Sequence, residues 1–294
     1  MIHTLKMNIK NIQIKSLENL SIDQLFIAFE NAFSDYEMQI NMMQLEKMIK
    51  RRGYRADLSF GAFNGDKLVS FTFNGVGKYN DIPTAYDTGT GTIKQYRGRG
   101  LAKEIFLHSI PHLKTAGIKQ YLLEVLQHNE AAFKLYQKLN FEIVSEFNYY
   151  ITNKMAVVLP SLSLGEKYSV NTNIDYNAIK KFEFWDYIPS WQNNFESISR
   201  QQVSFESLGI YLKNKLIAYS IFEPAMGDIT QFAVHKEYRR LGLASNLMKF
   251  TLNRIITDEI QIINTDSKCT SLNYFLDRLQ IKKSGKQYEM LKVL

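Results

Sequence analysis

Gln95-Tyr96-Arg97-Gly98-Arg99-Gly100-Leu101-Ala102 decides how this chain is read, because most of it occurs twice. Tyr238-Arg239-Arg240-Leu241-Gly242-Leu243-Ala244 repeats the stretch from Tyr96 to Ala102 at an offset of 142 residues (238 less 96). Behind each copy, small or apolar residues follow helical spacing. They are Ala102, Ile105, Phe106, Ser109, Ile110 and Leu113 in the first copy, and Ala244, Leu247, Met248, Thr251, Leu252 and Ile255 in the second. All six are displaced by the same 142. A register shared along a helix of this length speaks for a duplicated fold rather than a chance heptapeptide.

The pattern extends outward from the repeat. Leu58 to Phe63 and Lys67 to Phe73 flank Asn64-Gly65, a strong short-range hairpin signal. Phe205 to Leu212 and Leu216 to Phe222, around Lys213-Asn214-Lys215, take the same place in the second half. Strands expected near Thr84–Ile93 and Asp228–Val234 run straight into the two copies. Between the halves, Pro160-Ser161-Leu162-Ser163-Leu164-Gly165 interrupts the alternation. The expected domains are therefore 1–158 and 166–294. Each has a mixed α/β (α+β) pattern, with a mostly antiparallel central sheet flanked by helices.

A length of 294 residues suits two domains that each bury a core. The 45 % hydrophobic and 13 % aromatic content points to a globular chain. No apolar run nears the roughly 18 residues of a membrane span, and Met1-Ile2-His3-Thr4-Leu5-Lys6 does not lead into a secretory h-region. With Cys269 the single cysteine, no internal disulfide or all-cysteine metal cluster can form. A cytosolic (cytoplasmic) protein is expected. The net charge of +7 comes with no dense basic run of the kind that tracks a nucleic-acid backbone, which argues against that partner. A homo-oligomer is compatible with all of this. The five histidines form no metal-ligand pattern, and no G-x-S-x-G or Walker loop is present.

Gln95 to Gly100 follows an expected strand and opens an expected helix. Backbone N–H groups at a helix start lack intrahelical partners and carry the positive end of the helix dipole, so a pyrophosphate fits there. Gly98 and Gly100 let the backbone approach the oxygens, and Arg97 and Arg99 add positive charge. A packing turn is the competing explanation for the glycines. Downstream, Leu123-Glu124-Val125-Leu126-Gln127-His128-Asn129 precedes Ala132, Tyr136 and Phe141. The spacing puts Asn129 at a helix start and Tyr136 two turns along it. Tyrosine, with an ordinary pKa of about 10, stays protonated at neutral pH and is suited to give a proton to a departing group.

Gln95 to Ala102 resembles the R/Q-x-x-G-x-G/A signature of the GNAT acetyltransferase superfamily. N-x-x-A-x-x-x-Y-x-x-x-x-F resembles that family's second cofactor motif, with Asn140 in the usual glycine position. The chain thus looks like two tandem GNAT-like domains. The resemblance implies acetyl-CoA as co-substrate, no metal, and direct transfer of the acetyl group to an amine of a small molecule or of a peptide or protein terminus. It implies a pyrophosphate at Arg97, Gly98, Arg99, Gly100, Leu101 and Ala102. The pantetheine arm would lie on Thr92, Ile93 and Lys94 and be bonded by Asn129. Tyr136 would protonate the CoA thiolate. The L-E-V…N…Y pattern is similar to ribosomal-protein N-terminal acetyltransferases, which makes Glu124 the implied base. Asp87 competes for that role, and Asp35 and Tyr36 are expected at the acceptor pocket, whose walls would come from Phe26 to Tyr54. In the second half, Cys269 falls opposite Asn129, Leu276 opposite Tyr136, Asn264 opposite Glu124, Glu237 opposite Gln95 and Arg240 opposite Gly98. That half is expected to be degenerate, with Pro189-Ser190-Trp191-Gln192-Asn193 an amphipathic helix start carrying a packed Trp, the competing reading being a stretch that lines a pocket. The rival reading is a non-catalytic CoA-binding regulatory or scaffolding protein.

Overall fold

The computed structural model describes residues 12–36 and 39–294. Met1 to Lys6 lies outside the described residues, as do Glu37 and Met38 of the Phe26 to Tyr54 stretch. The first half contributes β1 (Ile12–Ser16), α1 (Ile22–Phe33), α2 (Met42–Arg51), β2 (Phe60–Asn64), β3 (Lys67–Tyr79), β4 (Ile82–Thr92), α3 (Leu101–Thr115), β5 (Gln120–Leu126) and α4 (Glu130–Lys138). The remainder contributes β6 (Glu142–Asn153), β7 (Tyr168–Thr172), α5 (Lys181–Phe184), α6 (Phe195–Arg200), β8 (Glu206–Leu212) and β9 (Lys215–Glu223). It ends with β10 (Asp228–Val234), α7 (Leu243–Arg254), β11 (Glu259–Asp266), α8 (Thr270–Arg278) and β12 (Lys283–Val293).

Local chemistry sets most of these boundaries. Ser21 with Gln24, and Asn41 with Gln44, close reciprocal capping boxes that start α1 and α2. The β2–β3 hairpin pairs Asn64 with Lys67, so its two-residue loop is Gly65-Asp66, one step beyond the Asn64-Gly65 signal. Gly65 supplies the positive φ of 60°, and a bulge between Ala62 and Phe63 absorbs the shift. In β8–β9 the loop is Lys213-Asn214, both with positive φ, the primed-turn geometry that suits strand twist. Asn140 and Gln280 leave α4 and α8 left-handed at φ 60°.

The described residues divide into two compact units. One holds the residues up to Leu123 with Lys134–Glu142 and Met290–Leu294, and the other holds Glu124–Phe133 with Ile143–Glu289. In the first, β1 to β4 pair antiparallel in sequence order and β5 joins β4 in parallel. Helices α1 and α2 pack on Phe63, Leu68, Phe71 and Phe73, while α3 covers Phe60, Ala62 and Val69. In the second, β7 to β10 repeat the antiparallel run and β11 joins β10 in parallel. Alternation along β9 sends Ala218 and Phe222 to the core of α7, and Tyr219 and Ile221 to the core of α5 and α6.

One feature of the topology has no local signal in the sequence. Strand β6, which follows α4, pairs antiparallel with β11 from Glu259↔Asn153 to Asp266↔Phe147 and is counted in the second unit. Leu294, just past β12, donates its N–H to Lys119 O at 2.9 Å in the first unit. No helix among the described residues is long and apolar enough to cross a membrane.

Candidate acetyl-transfer site

Strands β4 and β5 pair at Thr84↔Gln120, Ala85↔Tyr121 and Tyr86↔Leu122, after which no further pairing joins them. From Asp87 to Thr92, β4 is therefore held on its β3 side, and its other edge is free of β5. A bulge at Thr88 marks the point of parting, since Asn74 pairs with Asp87 and Phe73 with Gly89. Asp87 is the last paired residue before this bulge.

Asp87 and Tyr136 meet at this parting. The Tyr136 hydroxyl donates to Asp87 Oδ2 at 2.8 Å, and Thr90 Oγ1 donates to the same oxygen at 2.9 Å. Asp87 Oδ1 is buried without a hydrogen-bond partner. Burial, outweighing the hydrogen bonds from Tyr136 and Thr90, raises the Asp87 carboxyl above the usual range. Burial also pushes the Tyr136 phenol well above its ordinary value, and the Asp87 charge adds to the shift. The phenol is 9 % exposed and stacks edge-on against Phe141 at 5.5 Å. Tyr136 thus keeps its proton at neutral pH.

Beyond Asp87, β4 runs on for about 16 Å, at strand rise, to Thr92, and a 3-10 turn over Lys94–Tyr96 then leads to the glycine turn. Gly98 and Gly100 have φ of 74° and 79°, and a Cβ built on either would meet nothing within 4 Å. Gly100 caps α3 with no side-chain hydrogen bond, so the first N–H groups of the helix remain available to an anion. That is what a diphosphate cradle requires. Arg99 lies over the Tyr96 ring at 5.2 Å. Arg97 is otherwise engaged: Nη1 and Nη2 each donate at 2.7 Å to Asp35, Nη2 also to Ala32 O at 2.7 Å, and Nε to Thr92 O at 3.0 Å. These bonds tie α1 to the end of β4 and commit the Asp35 carboxylate, which had been expected at the acceptor pocket. Hydrogen bonding from Arg97 holds Asp35 down to about 2.

Asn129 starts α4. Its Oδ1 accepts from Ala132 N at 3.2 Å, and Asn129 N donates to Leu126 O. Glu124, on β5, belongs to the second compact unit, where its Oε2 accepts from Gln192 Nε2 at 2.5 Å. Ile93 is buried, and Thr92 Oγ1 pairs with Ser70 Oγ at 2.7 Å. Lys94 is exposed.

The second half repeats the frame with different side chains at the matching positions. Arg239 Nη1 donates to Asp186 at 2.9 and 3.1 Å, Nη2 to Phe184 O at 3.0 Å and Nε to Val234 O at 3.1 Å, the same four-way clasp as Arg97. Gly242 (φ 77°) caps α7 without a side-chain bond, and Arg240 adopts φ 62° where the first copy has Gly98. Leu276 is fully buried, Cys269 is the N-cap residue of α8 but makes no side-chain capping bond, and Asn264 Nδ2 donates to Ser190 Oγ at 2.9 Å. Strands β10 and β11 pair only at Asp228↔Gln261. A cavity of about 950 Å³ lies here, lined among others by Phe232, Val234, Arg240, Gly242, Leu272 and Phe275.

The model of the acetyltransferase (GNAT) family matches this chain twice, over residues 19–141 and 176–269. The chain belongs to the acetyltransferase (GNAT) family. GNAT proteins are acyltransferases, and both sequence halves carry the family's mark. N-alpha-acetyltransferase MAK3 of Arabidopsis thaliana is 31 % identical over 98 residues, covering 33 % of this chain and 52 % of that relative. The match thus spans about half the length of this curated relative. Among solved structures, the fold is similar to a tandem GNAT protein from the clavulanic acid biosynthesis pathway. The TM-score is 0.71 at 12 % identity, covering 96 % of this chain and 98 % of the other. It is also similar to a GCN5-related N-acetyltransferase from Sphaerobacter thermophilus, with a TM-score of 0.70 at 10 % identity and 96 % coverage of each chain. At these identities the likeness is one of fold.

The GNAT frame contains two features that sequence reading passed over, the paired Arg–Asp clasps and the Gln192–Glu124 contact. The clasps left a weak trace, since Arg97 and Arg239 stand at the same repeat position. Their aspartates are spaced differently from the repeat, so the pairing had no fixed offset to reveal it. Among the described residues, no group of three His, Cys, Asp or Glu is arranged to hold a metal.

Proposed function

We propose that this chain is an acetyl-CoA-dependent N-acetyltransferase, with the transfer carried by its first half. The observation that carries this reading is the buried Tyr136 phenol on Asp87, at the parting of β4 and β5, on the strand that leads to the uncapped start of α3. Acetyl-CoA supplies an activated thioester. The N–H groups from Gly98 to Ala102 hold its diphosphate, the free edge of β4 through Thr92, Ile93 and Lys94 takes the pantetheine arm, and Asn129 bonds that arm.

Tyr136 gives its proton to the departing thiolate, a role its raised pKa permits, because the proton is still there when sulfur becomes negative. Asp87 accepts the single phenolic proton at rest and so fixes where the Tyr136 oxygen sits, and the hydroxyl turns from Asp87 to sulfur when the proton is given up. Glu124 is taken as the base that relieves the attacking amine of its proton. The acceptor is an amine of a small molecule or a peptide or protein terminus. A cytoplasmic setting belongs to the same proposal, as does the division into domains 1–158 and 166–294.

The test is release of free CoA thiol from acetyl-CoA against a panel of amines and N-terminal peptides. Turnover by the intact chain that is unchanged in both Tyr136→Phe and Glu124→Gln would end this reading.

The cavity in the second half favours a second role, in which coenzyme A also enters there and is bound without turnover. Leu276 and Asn264 leave that half with no acid and no base at the corresponding places. Calorimetry of the intact chain with coenzyme A separates the cases. Two binding events support the second role, and one event lost on Gly98→Val refutes it. Binding without thiol release against every amine would instead favour a wholly regulatory or scaffolding protein.

A further inference from the structure

The second half lacks its own acid and base, yet one of its side chains reaches a first-half carboxylate. Pro189-Ser190-Trp191-Gln192-Asn193 folds as a single tight turn, Trp191–Asn193, that is locked by its neighbours. Asn193 Nδ2 donates to Ile263 O at 2.9 Å, Gln231 Nε2 donates to Asn193 O at 2.6 Å, and Ser197 Oγ donates to Trp191 O at 2.6 Å. Asn264 Nδ2 holds Ser190 from β11, and the Trp191 ring is 1 % exposed. With the turn fixed in this way, the Gln192 amide has a defined direction. Its Nε2 donates to Glu124 Oε2 at 2.5 Å across 68 residues of sequence.

The chemistry of the pair suits orientation better than stability. An amide is neutral at every working pH, so it can fix a carboxylate without forming the ion pair that a Lys or Arg would make. A base must be held within hydrogen-bond geometry of the proton it removes, and a rigid donor on one oxygen restricts the carboxylate's rotation. Gln192 is itself 6 % exposed, and a buried amide without a partner is costly, so the pair is maintained from both sides.

We infer that Gln192 is a positioning residue for Glu124, so that the half without catalytic groups sets the geometry of the base. This rests on Glu124 being the base. The experiment uses the full chain and four variants: Glu124→Gln, Gln192→Met, Gln192→His and the double variant Glu124→Gln/Gln192→Met. Met keeps the length of Gln without a donor, and His restores an N–H donor. With positioning worth roughly a factor of ten, Gln192→Met should lower kcat about tenfold and leave the acetyl-CoA KM within about twofold. Gln192→His should recover part of the loss, and the double variant should be no slower than Glu124→Gln. A slow Glu124→Gln beside a Gln192→Met at the parent rate would overturn the inference and leave the base assignment standing. Losses that multiply in the double variant would also overturn it, since they would mark an independent structural effect. A Glu124→Gln at the parent rate would remove the base assignment itself, and Gln192 with it. Should Gln192→Met fail to fold, Gln192→His carries the test: its kcat must lie below the parent's by less than about tenfold with the acetyl-CoA KM within about twofold, or the inference fails.

Discussion

The two halves of this chain share a frame and differ in what hangs on it. In both, an arginine at the repeat position clasps an aspartate and two carbonyls, Arg97 with Asp35, Ala32 and Thr92, and Arg239 with Asp186, Phe184 and Val234. In both, a left-handed glycine opens an uncapped helix, and a parallel strand pair parts early. The reactive positions then diverge: Tyr136 against Leu276, Asn129 against Cys269, Glu124 against Asn264. The frame is kept where backbone geometry and core packing demand it. On the proposed division of labour the chemistry belongs to one half, since a site without turnover can lose its polar side chains without loss of fold. The second half meets that condition by filling the Tyr136 position with a fully buried leucine.

The contrast breaks most readily at Tyr136. Tyr136→Phe should lower the rate of thiol release by roughly a hundredfold or more, the usual worth of a general acid, whereas Leu276→Met should change it less than about twofold. Comparable losses in both would mean that the halves do not divide their labour as described. Asp87→Asn should cost about tenfold in the same assay, because the phenol loses the charge that aims it. Its effect on stability should have the opposite sign. A carboxyl whose pKa is raised on folding penalises the fold as pH rises through that raised value, so the asparagine variant should melt higher than the parent at neutral pH. A drop from Asp87→Asn larger than that from Glu124→Gln would exchange the two carboxylates' roles.

The two phosphate turns offer the next comparison. Gly98→Val forces a branched side chain to φ 74°, a cost of about 1–2 kcal/mol, and should raise the acetyl-CoA KM roughly tenfold. Arg240→Gly reverses this at the matching position. It relieves a left-handed non-glycine residue at φ 62° and should stabilise the chain by at most about 1 kcal/mol, seen as a higher urea midpoint.

The smallest effect lies in the clasps. Asp35 is held down to about 2 by Arg97, so its contribution to stability is present above the ordinary carboxylate range and lost as pH falls toward 2. Between about pH 4 and pH 2, the parent's urea midpoint should therefore fall more steeply than that of Asp35→Asn. Parallel curves would show that the clasp is a contact without linkage.

Several of these features were legible in the sequence for definite reasons. The duplicated segment, the two hairpins and the helices behind the glycine turns follow from periodicity and turn chemistry, which act over a few residues. Asn140 at φ 60° and the glycine pair at positive φ belong to the same class. Tyr136 was singled out by its spacing from Asn129, a distance within one helix. The partner of Tyr136 was harder to assign, because Asp87 lies 49 residues away on another element and no local period links the two.

The sequence by itself determined that this is a duplicated, glycine-turned GNAT frame whose halves carry different residues at the matching positions, since residue type and short-range spacing suffice for that. Only the tertiary structure decided how distant segments meet. It paired β6 with β11, spent Arg97 on Asp35, set Asp87 against Tyr136 and brought Gln192 to Glu124. Each of these joins residues far apart in the chain through a single polar group or a strand edge. Such contacts leave no period in the sequence, because the packing of whole elements, and not any local preference, brings their partners together.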